Sequence, residues 1–340
     1  MSSEYNLVFC LCLCLLFGLT YESWLAFDVR KTADPQTYWG LAHFDLEQSV
    51  VRKYRVLEPF IVGAVSKILL LVIRIFRPEA SYGGEFSLKL GFYLFNLAAS
   101  AMFCTLCYAY VRSLSRSRIA ALIATVMVVT ANWTAINTYA CMVDALFCCF
   151  VALTFLAISR KHATMLFWAI IIGPFTKESY IFLLPIIFFF SHIPKWKLIG
   201  WFALSGMFIL AFRLSYDYFT GHQPMESLGS DGAHFTYIIS NSKRLLEAGF
   251  MNPLIAEIGL WILVPLGGML LMKGFARRFF SQVQPYMILW LLLVVLQMLM
   301  SGDFARMFYL FMPVYAAWIA YTLDEWRAKI KGSANHGTLS

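Results

Sequence analysis

Long apolar runs separated by short polar segments fill most of the chain. A membrane-spanning helix needs about 20 predominantly apolar residues. Runs close to this length, or somewhat shorter, occur at 6–26, 87–111, 119–137, 140–159, 163–176, 178–192, 198–214, 254–272, 284–300 and 307–323. The pattern predicts an all-α polytopic membrane protein of about ten transmembrane helices. We expect one transmembrane domain over 1–323 and a tail over 324–340.

The composition agrees with this class of protein. Hydrophobic residues make up 60% of the chain and charged residues only 14%, whereas a soluble domain is roughly half apolar and a quarter charged. The net charge of +8 does not indicate a nucleic-acid partner, because the basic residues lie in short clusters between apolar runs. All eight cysteines fall in or beside apolar runs, which favours packing over a zinc site.

The basic clusters predict the orientation. The positive-inside rule places such clusters in the cytoplasm, and one alternating path from residue 112 onward puts them all there: Arg112–Arg118, Arg160–Lys161, Lys195–Lys197, Lys273–Arg278 and Arg327–Lys331. Both chain termini are then cytoplasmic, and the segments 137–139, 176–178, 216–252 and 301–306 face outward. We expect the long segment 216–252 to act as a lid over a site.

The first long polar segment, 28–86, leaves two topologies open. Its apolar part, Leu57–Phe76, contains Lys67 and Arg74. If it crosses the bilayer, Asp34 lies inside, and Lys67 lies mid-membrane at a cost of about 2.5–3.5 kcal/mol. We favour an outer loop with juxtamembrane helices that do not cross, which places Asp34 outside.

Acidic residues next to apolar runs are the first candidates for chemistry. Asp34 and Tyr38 share one face of a helix because they are four residues apart. A carboxylate in this position can act as a general base, and the alternative is a solvated loop acid. Asp144 begins an apolar run at its outer end, where a buried acid is expensive and usually functional. Its alternative role is a helix-start acid that interacts with the helix dipole.

Charged residues at other outer segments complete the candidate set. Lys177 and Glu178 interrupt an apolar stretch, where the lysine could hold a phosphate or the two residues could only cap helices. Arg306 precedes the last run on the outer side, which suits a bidentate grip on phosphate or carboxylate. The alternative for Arg306 is an ion pair with Asp303. Arg55 and Glu58, in YRVLEP, either form an ion pair that anchors the loop or contact the substrate. Two further residues are assigned to substrate binding, Asp303 and Tyr309.

These residues, in this order, resemble the GT-C superfamily of integral-membrane glycosyltransferases, in particular its aminoarabinose transferase and lipopolysaccharide sugar transferase branch. Asp34, Tyr38 and Ala42 match a D-x-x-x-Y-x-x-x-A pattern on a juxtamembrane helix. Further similarities are the YRVLEPF segment before an apolar helix, the aspartate that opens VDALFCCF, the lysine of TKESYIFLLP and the R-x-x-Y-x-x-x-P at Arg306. The family's usual second acid is replaced by Pro35, which argues against a metal site there.

The resemblance implies a function. Such enzymes move a sugar from a polyprenyl-phosphate carrier to a lipid, glycan or protein acceptor on the outer side of the membrane. Asp34 would be the catalytic base, Asp144 would orient the substrates, and Lys177 and Arg306 would hold the carrier phosphate. No cofactor is assigned, a divalent cation stays open, and a bacterial inner membrane fits best, although an endoplasmic reticulum location is not excluded.

Three other functions remain as alternatives. A transporter or flippase for lipid-linked saccharides would also need outer cations and acids, and a polymerase would share the transferase chemistry. A scaffold protein would not need charged residues at the outer ends of spans.

Overall fold

The computed structural model describes residues 3–48, 52–76, 83–115, 117–221, 237–249, 255, 257–301 and 303–336. These residues form an all-α structure. Its helices are α1 (Ser3–Ala26), α2 (Ala33–Ala42), α3 (Leu57–Phe76), α4 (Gly83–Leu114), α5 (Arg118–Thr130), α6 (Asn132–Tyr139), α7 (Asp144–Ser159), α8 (Ala163–Thr176), α9 (Leu184–Phe190), α10 (Lys195–Thr220), α11 (Ile238–Ala248), α12 (Leu263–Leu271), α13 (Phe275–Gln282), α14 (Pro285–Ser301), α15 (Phe304–Phe308) and α16 (Met312–His336). Short 3-10 helices occur at Val29–Lys31, Glu178–Leu183, Gly259–Ile262 and Tyr309–Phe311.

Fewer helices than predicted are long enough to cross a membrane. Within the described ranges there are four such helices, α1, α3, α4 and α10, or up to six if the bent pairs α5–α6 and α13–α14 each count as one span. The prediction of about ten spans is therefore wrong. The all-α class is confirmed, and the candidate spans indicate an integral membrane protein.

The overcount arose because apolar runs were taken as straight helices. The backbone at Lys177 is extended, with φ −164°, and separates α8 of 14 residues from the next helical segment. A helix of that length is about 21 Å long, which is less than the hydrocarbon thickness of about 30 Å. The run 119–137 bends by 57° between α5 and α6.

Helices α1 and α4 run antiparallel and define the two ends of the bundle. At one end, called the Glu4 end, Tyr108 donates to Glu4 at 2.5 Å and Arg118 pairs with the same carboxylate at 2.7 Å. At the other end, called the Trp24 end, the Trp24 indole donates to the carbonyl of Lys89 at 3.3 Å.

Several of the predicted cytoplasmic clusters have members at the Glu4 end. Arg160 donates to the hydroxyl of Tyr5 at 2.6 Å. Arg327 in the last helix donates to Ser117 at 2.9 Å, beside the start of α5. Basic residues from distant parts of the chain therefore meet at one end of the bundle.

The sequence left open whether the apolar segment that forms α3 crosses the bilayer. The segment between α1 and α4 leaves and rejoins the bundle at the Trp24 end. Helix α3 has 20 residues and is about 30 Å long. The six residues 77–82 that follow it can reach at most about 25 Å. This connection is shorter than α3, so the end of α3 lies within about 25 Å of the start of α4.

Aromatic side chains from several helices meet in the core, and some of their polar groups pair with one another or with backbone carbonyls. The hydroxyls of Tyr110 and Tyr286 lie 3.0 Å apart, and the buried Trp290 indole donates to the carbonyl of Leu310 at 2.9 Å. The ring of Phe155 contacts both Tyr286 and Trp290. Such pairing matters because a polar group left unsatisfied in a lipid environment costs several kcal/mol.

Candidate functional site

Five charged side chains form an unbroken chain of ion pairs, called the charge network below: Arg52, Asp34, Arg306, Asp144 and Lys177. Arg52 lies 2.5 Å from one oxygen of Asp34, and Arg306 lies 2.8 Å from the other. The second terminal nitrogen of Arg306 lies 2.5 Å from Asp144, and the Lys177 ammonium lies 2.5 Å from the remaining Asp144 oxygen. Arg306 thus bridges two carboxylates that are far apart in the sequence.

A second group of contacts adjoins this network through Tyr38. The Arg55 guanidinium donates to the Tyr38 hydroxyl at 2.9 Å and to the Glu178 carboxylate at 2.9 Å. Arg213 approaches the other oxygen of Glu178 to 4.0 Å. Because Tyr38 follows Asp34 by one turn of α2 and Glu178 follows Lys177 directly, the two groups form one continuous site.

Asp144 is held by the segment that precedes it. The side-chain amide of Asn96 on α4 donates to the carbonyls of Ala140 and Met142, at 3.0 Å each. These bonds fix the short connection between α6 and α7, so that α7 begins at Asp144 with its carboxylate directed at the site. An extended segment buried in a bundle needs such partners for its carbonyls.

Arg306 is positioned by a helix cap. Asp303 accepts a hydrogen bond from the backbone N–H of Arg306 at 3.3 Å and so begins α15. The Arg306 guanidinium turns instead toward Asp34 and Asp144, with its central carbon 5.8 Å from the ring centre of Trp133. The ion pair with Asp303 that the sequence left open is therefore replaced by a backbone cap.

The turn Arg52–Arg55 connects the site to three different elements. Arg52 contacts Asp34 on α2, and Arg55 contacts the segment after α8. Lys53 lies 2.8 Å from Asp217 near the end of α10, and the Tyr54 hydroxyl donates to the same carboxylate at 2.8 Å. Lys53 and Asp217 are 0% and 1% exposed, so this pair is fully buried.

Positive charge is in excess at the site. Among the described residues, the ion pairs of the site link five cations to three carboxylates. The cations are Arg52, Arg55, Lys177, Arg213 and Arg306, and the carboxylates are Asp34, Asp144 and Glu178. The buried Nε of Arg306 has no hydrogen-bond partner in this part of the structure. A buried donor without a partner, within a cationic surplus, is a place where an anion would be stabilised.

The electrostatics keep the arginines charged. Burial alone would lower the pKa of Arg306, but Asp144, Tyr38 and Asp34 raise it above its ordinary value. Burial would likewise lower the pKa of Arg55, but Glu178 and Tyr38 raise it well above the usual range. Burial lowers the pKa of Lys177, and Asp144 offsets part of this effect. The two arginines therefore stay cationic at any pH at which the protein is folded.

Not every predicted site residue joins the network. Glu58 is 2% exposed, and neither of its carboxylate oxygens has a hydrogen-bond partner among the described residues. In the part of the chain that the structure describes, its only link to the network is an electrostatic interaction with Asp144, without a direct contact. The alternative of an Arg55–Glu58 ion pair is wrong, because Arg55 contacts Glu178. Tyr309 lies in the core, where its hydroxyl is 2.8 Å from that of Thr134.

The sequence also missed some members of the site. Arg52, Lys53, Arg213 and Asp217 were not singled out, although they carry much of its charge. Two signals were present: a dense basic stretch on the outer side, where the positive-inside rule disfavours it, and charges at the end of a long apolar run. Asn96 left no signal beyond being a polar residue inside an apolar run.

Two further expectations are only partly covered by the described residues. Of the expected lid, residues 222–236 and 250–252 lie outside them, whereas 216–220 belong to α10 and 238–248 form α11. Among the residues described, no group of three or more His, Cys, Asp or Glu side chains is arranged to hold a metal ion.

Comparison with known proteins gives no family assignment. No protein-family model matches the chain, and neither the curated proteins nor the solved structures include a significant match to it.

Proposed function

We propose that this protein is a GT-C-like glycosyltransferase that takes a sugar from a polyprenyl-phosphate carrier. The acceptor is a lipid, glycan or protein on the outer side of the membrane, and the Trp24 end of the bundle faces outward. The best fit is a bacterial inner membrane with both termini in the cytoplasm. The observation that carries the proposal is Arg306, which bridges Asp34 and Asp144 beside Lys177 within a surplus of cations.

The surplus supports an anionic ligand. Among the described residues, the buried Nε–H of Arg306 has no hydrogen-bond partner, and Lys177 is 4% exposed. A carrier phosphate placed between them would satisfy the free donor and balance the charge of the site. The same groups would then stabilise the negative charge that develops on the phosphate oxygen during transfer.

The reaction assigns one role to each acid. The acceptor hydroxyl oxygen attacks the anomeric carbon of the sugar, and its proton passes to the carboxylate of Asp34. The bond between the anomeric carbon and the phosphate oxygen breaks, and its electron pair leaves with the polyprenyl phosphate. Asp144 holds Arg306 and Lys177 in place from its two oxygens, and so orients the cations toward the leaving group.

The location of the network favours an enzyme over a transporter. Transport sites commonly lie near the bilayer midplane, between repeated halves of the protein. Here the charges come from the ends of helices and from the connections between them, and no repeated halves are found in the sequence. A polymerase would use the same chemistry, and the choice between it and a transferase depends on the acceptor.

Phosphate binding can be tested without knowing the sugar. Farnesyl phosphate, added to purified protein, is expected to raise the thermal unfolding midpoint, because a ligand that binds only the folded state stabilises it. Arg306→Gln should abolish this shift. Arg278→Gln, which removes a half-exposed arginine paired with Glu325, should keep it. An equal shift in wild type and Arg306→Gln would contradict the proposed phosphate site.

The catalytic step is tested with a lipid-linked sugar and a membrane extract as the source of acceptor, measuring release of polyprenyl phosphate. Asp34→Asn keeps the size of the side chain but cannot accept the proton, so the rate should fall by about 10²–10⁴-fold. The farnesyl phosphate shift of this variant should persist. A fully active Asp34→Asn protein would rule out Asp34 as the base.

A further inference from the structure

A groove of about 440 Å³ opens between the turn at 28–31, α2 and the first turns of α4. Three aromatic side chains contribute to its lining: Phe27, Trp39 and Phe86. The volume falls within the range of about 300–1,000 Å³ that is typical of small-molecule sites. Asp34 and Tyr38 do not line it, so the groove is distinct from the network.

The aromatic walls are held in place from behind. The ring of Trp39 stacks on Phe92 with centroids 6.4 Å apart, and the ring of Phe27 meets Tyr139 edge-on at 5.8 Å. Phe86 packs against Trp24 and is still 47% exposed. Phe27 and Trp39 are half-buried, so the groove presents one exposed ring and two partly exposed rings on a packed support.

The charged groups of the groove balance one another. Arg30 donates to both oxygens of Glu85, at 3.1 and 3.3 Å. Lys89 donates to the carbonyl of Leu25 at 3.1 Å, and Asp28 accepts from the backbone of Arg30. With two cations and two carboxylates in the lining, the groove has no surplus for an anionic ligand, in contrast to the network.

We propose that this groove binds a neutral saccharide, stacked on the aromatic faces and hydrogen-bonded by the polar groups at its edge. Lys89 has three donors, of which one is engaged with Leu25. Gln36 lines the groove with a side-chain amide whose nitrogen donates to the carbonyl of Arg30, so its second N–H and its oxygen are the groups that it can offer to a ligand. Both are chemically suited to sugar hydroxyls.

The inference rests on the proposed function in one respect, since it names the groove's ligand as the acceptor. Gln36 follows Asp34 by two positions in the first turns of α2. Side chains two positions apart point to nearly opposite faces of a helix, so an acceptor glycan in the groove would have to extend around the N-terminal turn of α2 for its next sugar unit to reach the proposed base. The acceptor class becomes a glycan, or the glycan part of a lipid, and not a protein.

Saturation-transfer NMR tests this directly, because it detects weak binding and needs no turnover. The full-length protein is prepared in nanodiscs without sugar-containing detergent. The probes are neutral tetrasaccharides of glucose and of N-acetylglucosamine, with glycerol 3-phosphate as an analogue of a lipid headgroup. We expect saturation transfer to at least one tetrasaccharide. Any transfer to glycerol 3-phosphate should be the same in wild type and in variants of the groove.

Matched variants locate the signal. Trp39→Ala should reduce the transfer about fivefold, since one stacking partner is lost, and Phe86→Ala should do the same at a more exposed position. Trp196→Ala removes a tryptophan that is 71% exposed at the start of α10 and should leave the transfer unchanged. The result is interpreted for each variant that keeps the wild-type unfolding midpoint.

Three outcomes would overturn the inference: no transfer to any tetrasaccharide, equal transfer in wild type and both groove variants, or groove-dependent transfer to glycerol 3-phosphate alone. The farnesyl phosphate shift is measured on the same samples. If that shift is present while saccharide transfer is absent, the groove inference fails and the proposed phosphate site stands. If saccharide transfer is present while the farnesyl phosphate shift is absent, the groove inference stands and the proposed phosphate site fails.

Discussion

The fully buried pair of Lys53 and Asp217 supports a quantitative prediction about how the site turn is held. The Lys53 ammonium lies 2.8 Å from the Asp217 carboxylate but outside hydrogen-bond geometry, whereas the Tyr54 hydroxyl donates to both carboxylate oxygens. Asp217→Asn keeps an oxygen to accept from Tyr54 and removes the charge. It therefore isolates the cost of leaving the Lys53 ammonium without its counter-charge.

The expected loss is large because neither side chain reaches solvent. Removing one partner of a buried ion pair costs about 3–5 kcal/mol. For a chain at or above 250 residues, 1 kcal/mol corresponds to about 2 °C in the unfolding midpoint, so Asp217→Asn should lower the midpoint by about 6–10 °C. Adding Lys53→Met removes the uncompensated charge, and most of that loss should be recovered.

The assay is thermal unfolding followed by tryptophan fluorescence, with all variants in the same detergent. Arg30→Gln is the control, because its pair with Glu85 is 79% and 70% exposed. Exposed pairs contribute about 0–1 kcal/mol, so this change should shift the midpoint by no more than about 2 °C. The reasoning is refuted if Asp217→Asn behaves like the control, or if the double variant is no more stable than the single one.

Two further predictions concern packing and topology. A Cβ at Gly63 would lie 2.3 Å from the carbonyl oxygen of Ala42, so Gly63→Ala should separate α2 from α3 and destabilise the protein by about 1–3 kcal/mol. Gly18→Ala, which meets open space in α1, should be neutral or slightly stabilising in the same unfolding assay. In a cysteine-depleted background, a cysteine replacing the exposed Gln36 should react with an impermeant thiol reagent in intact cells. A cysteine replacing the exposed Arg277 should react only after lysis, and the opposite pattern would reverse the proposed orientation.

The sequence predicted the helical class and the type of residue that matters. Apolar runs indicate burial in lipid because each residue contributes its own free energy of transfer into the membrane. This contribution depends on the residue itself and can be estimated without knowing the fold. The same argument singled out Asp34, Asp144, Lys177 and Arg306, since each is a charge next to a long apolar run. The structure brings these residues into direct contact.

The number of spans and the identity of the partners were decided only by the tertiary structure. Hydropathy does not record where a run bends, as at the 57° break between α5 and α6, or stops, as at the extended backbone of Lys177. Tyr309 carried a matching motif but lies in the core against Thr134.

Partner choice could not be derived from the sequence, because it depends on helix tilt and packing across the whole bundle. Arg306 reaches Asp34 across 272 positions, and Tyr54 reaches Asp217 across 163. A charge beside an apolar run must find a counter-charge or a ligand, and this much the sequence determines by itself. Which group it finds is set when the helices pack, since only their packing fixes the distance between side chains so far apart in the chain.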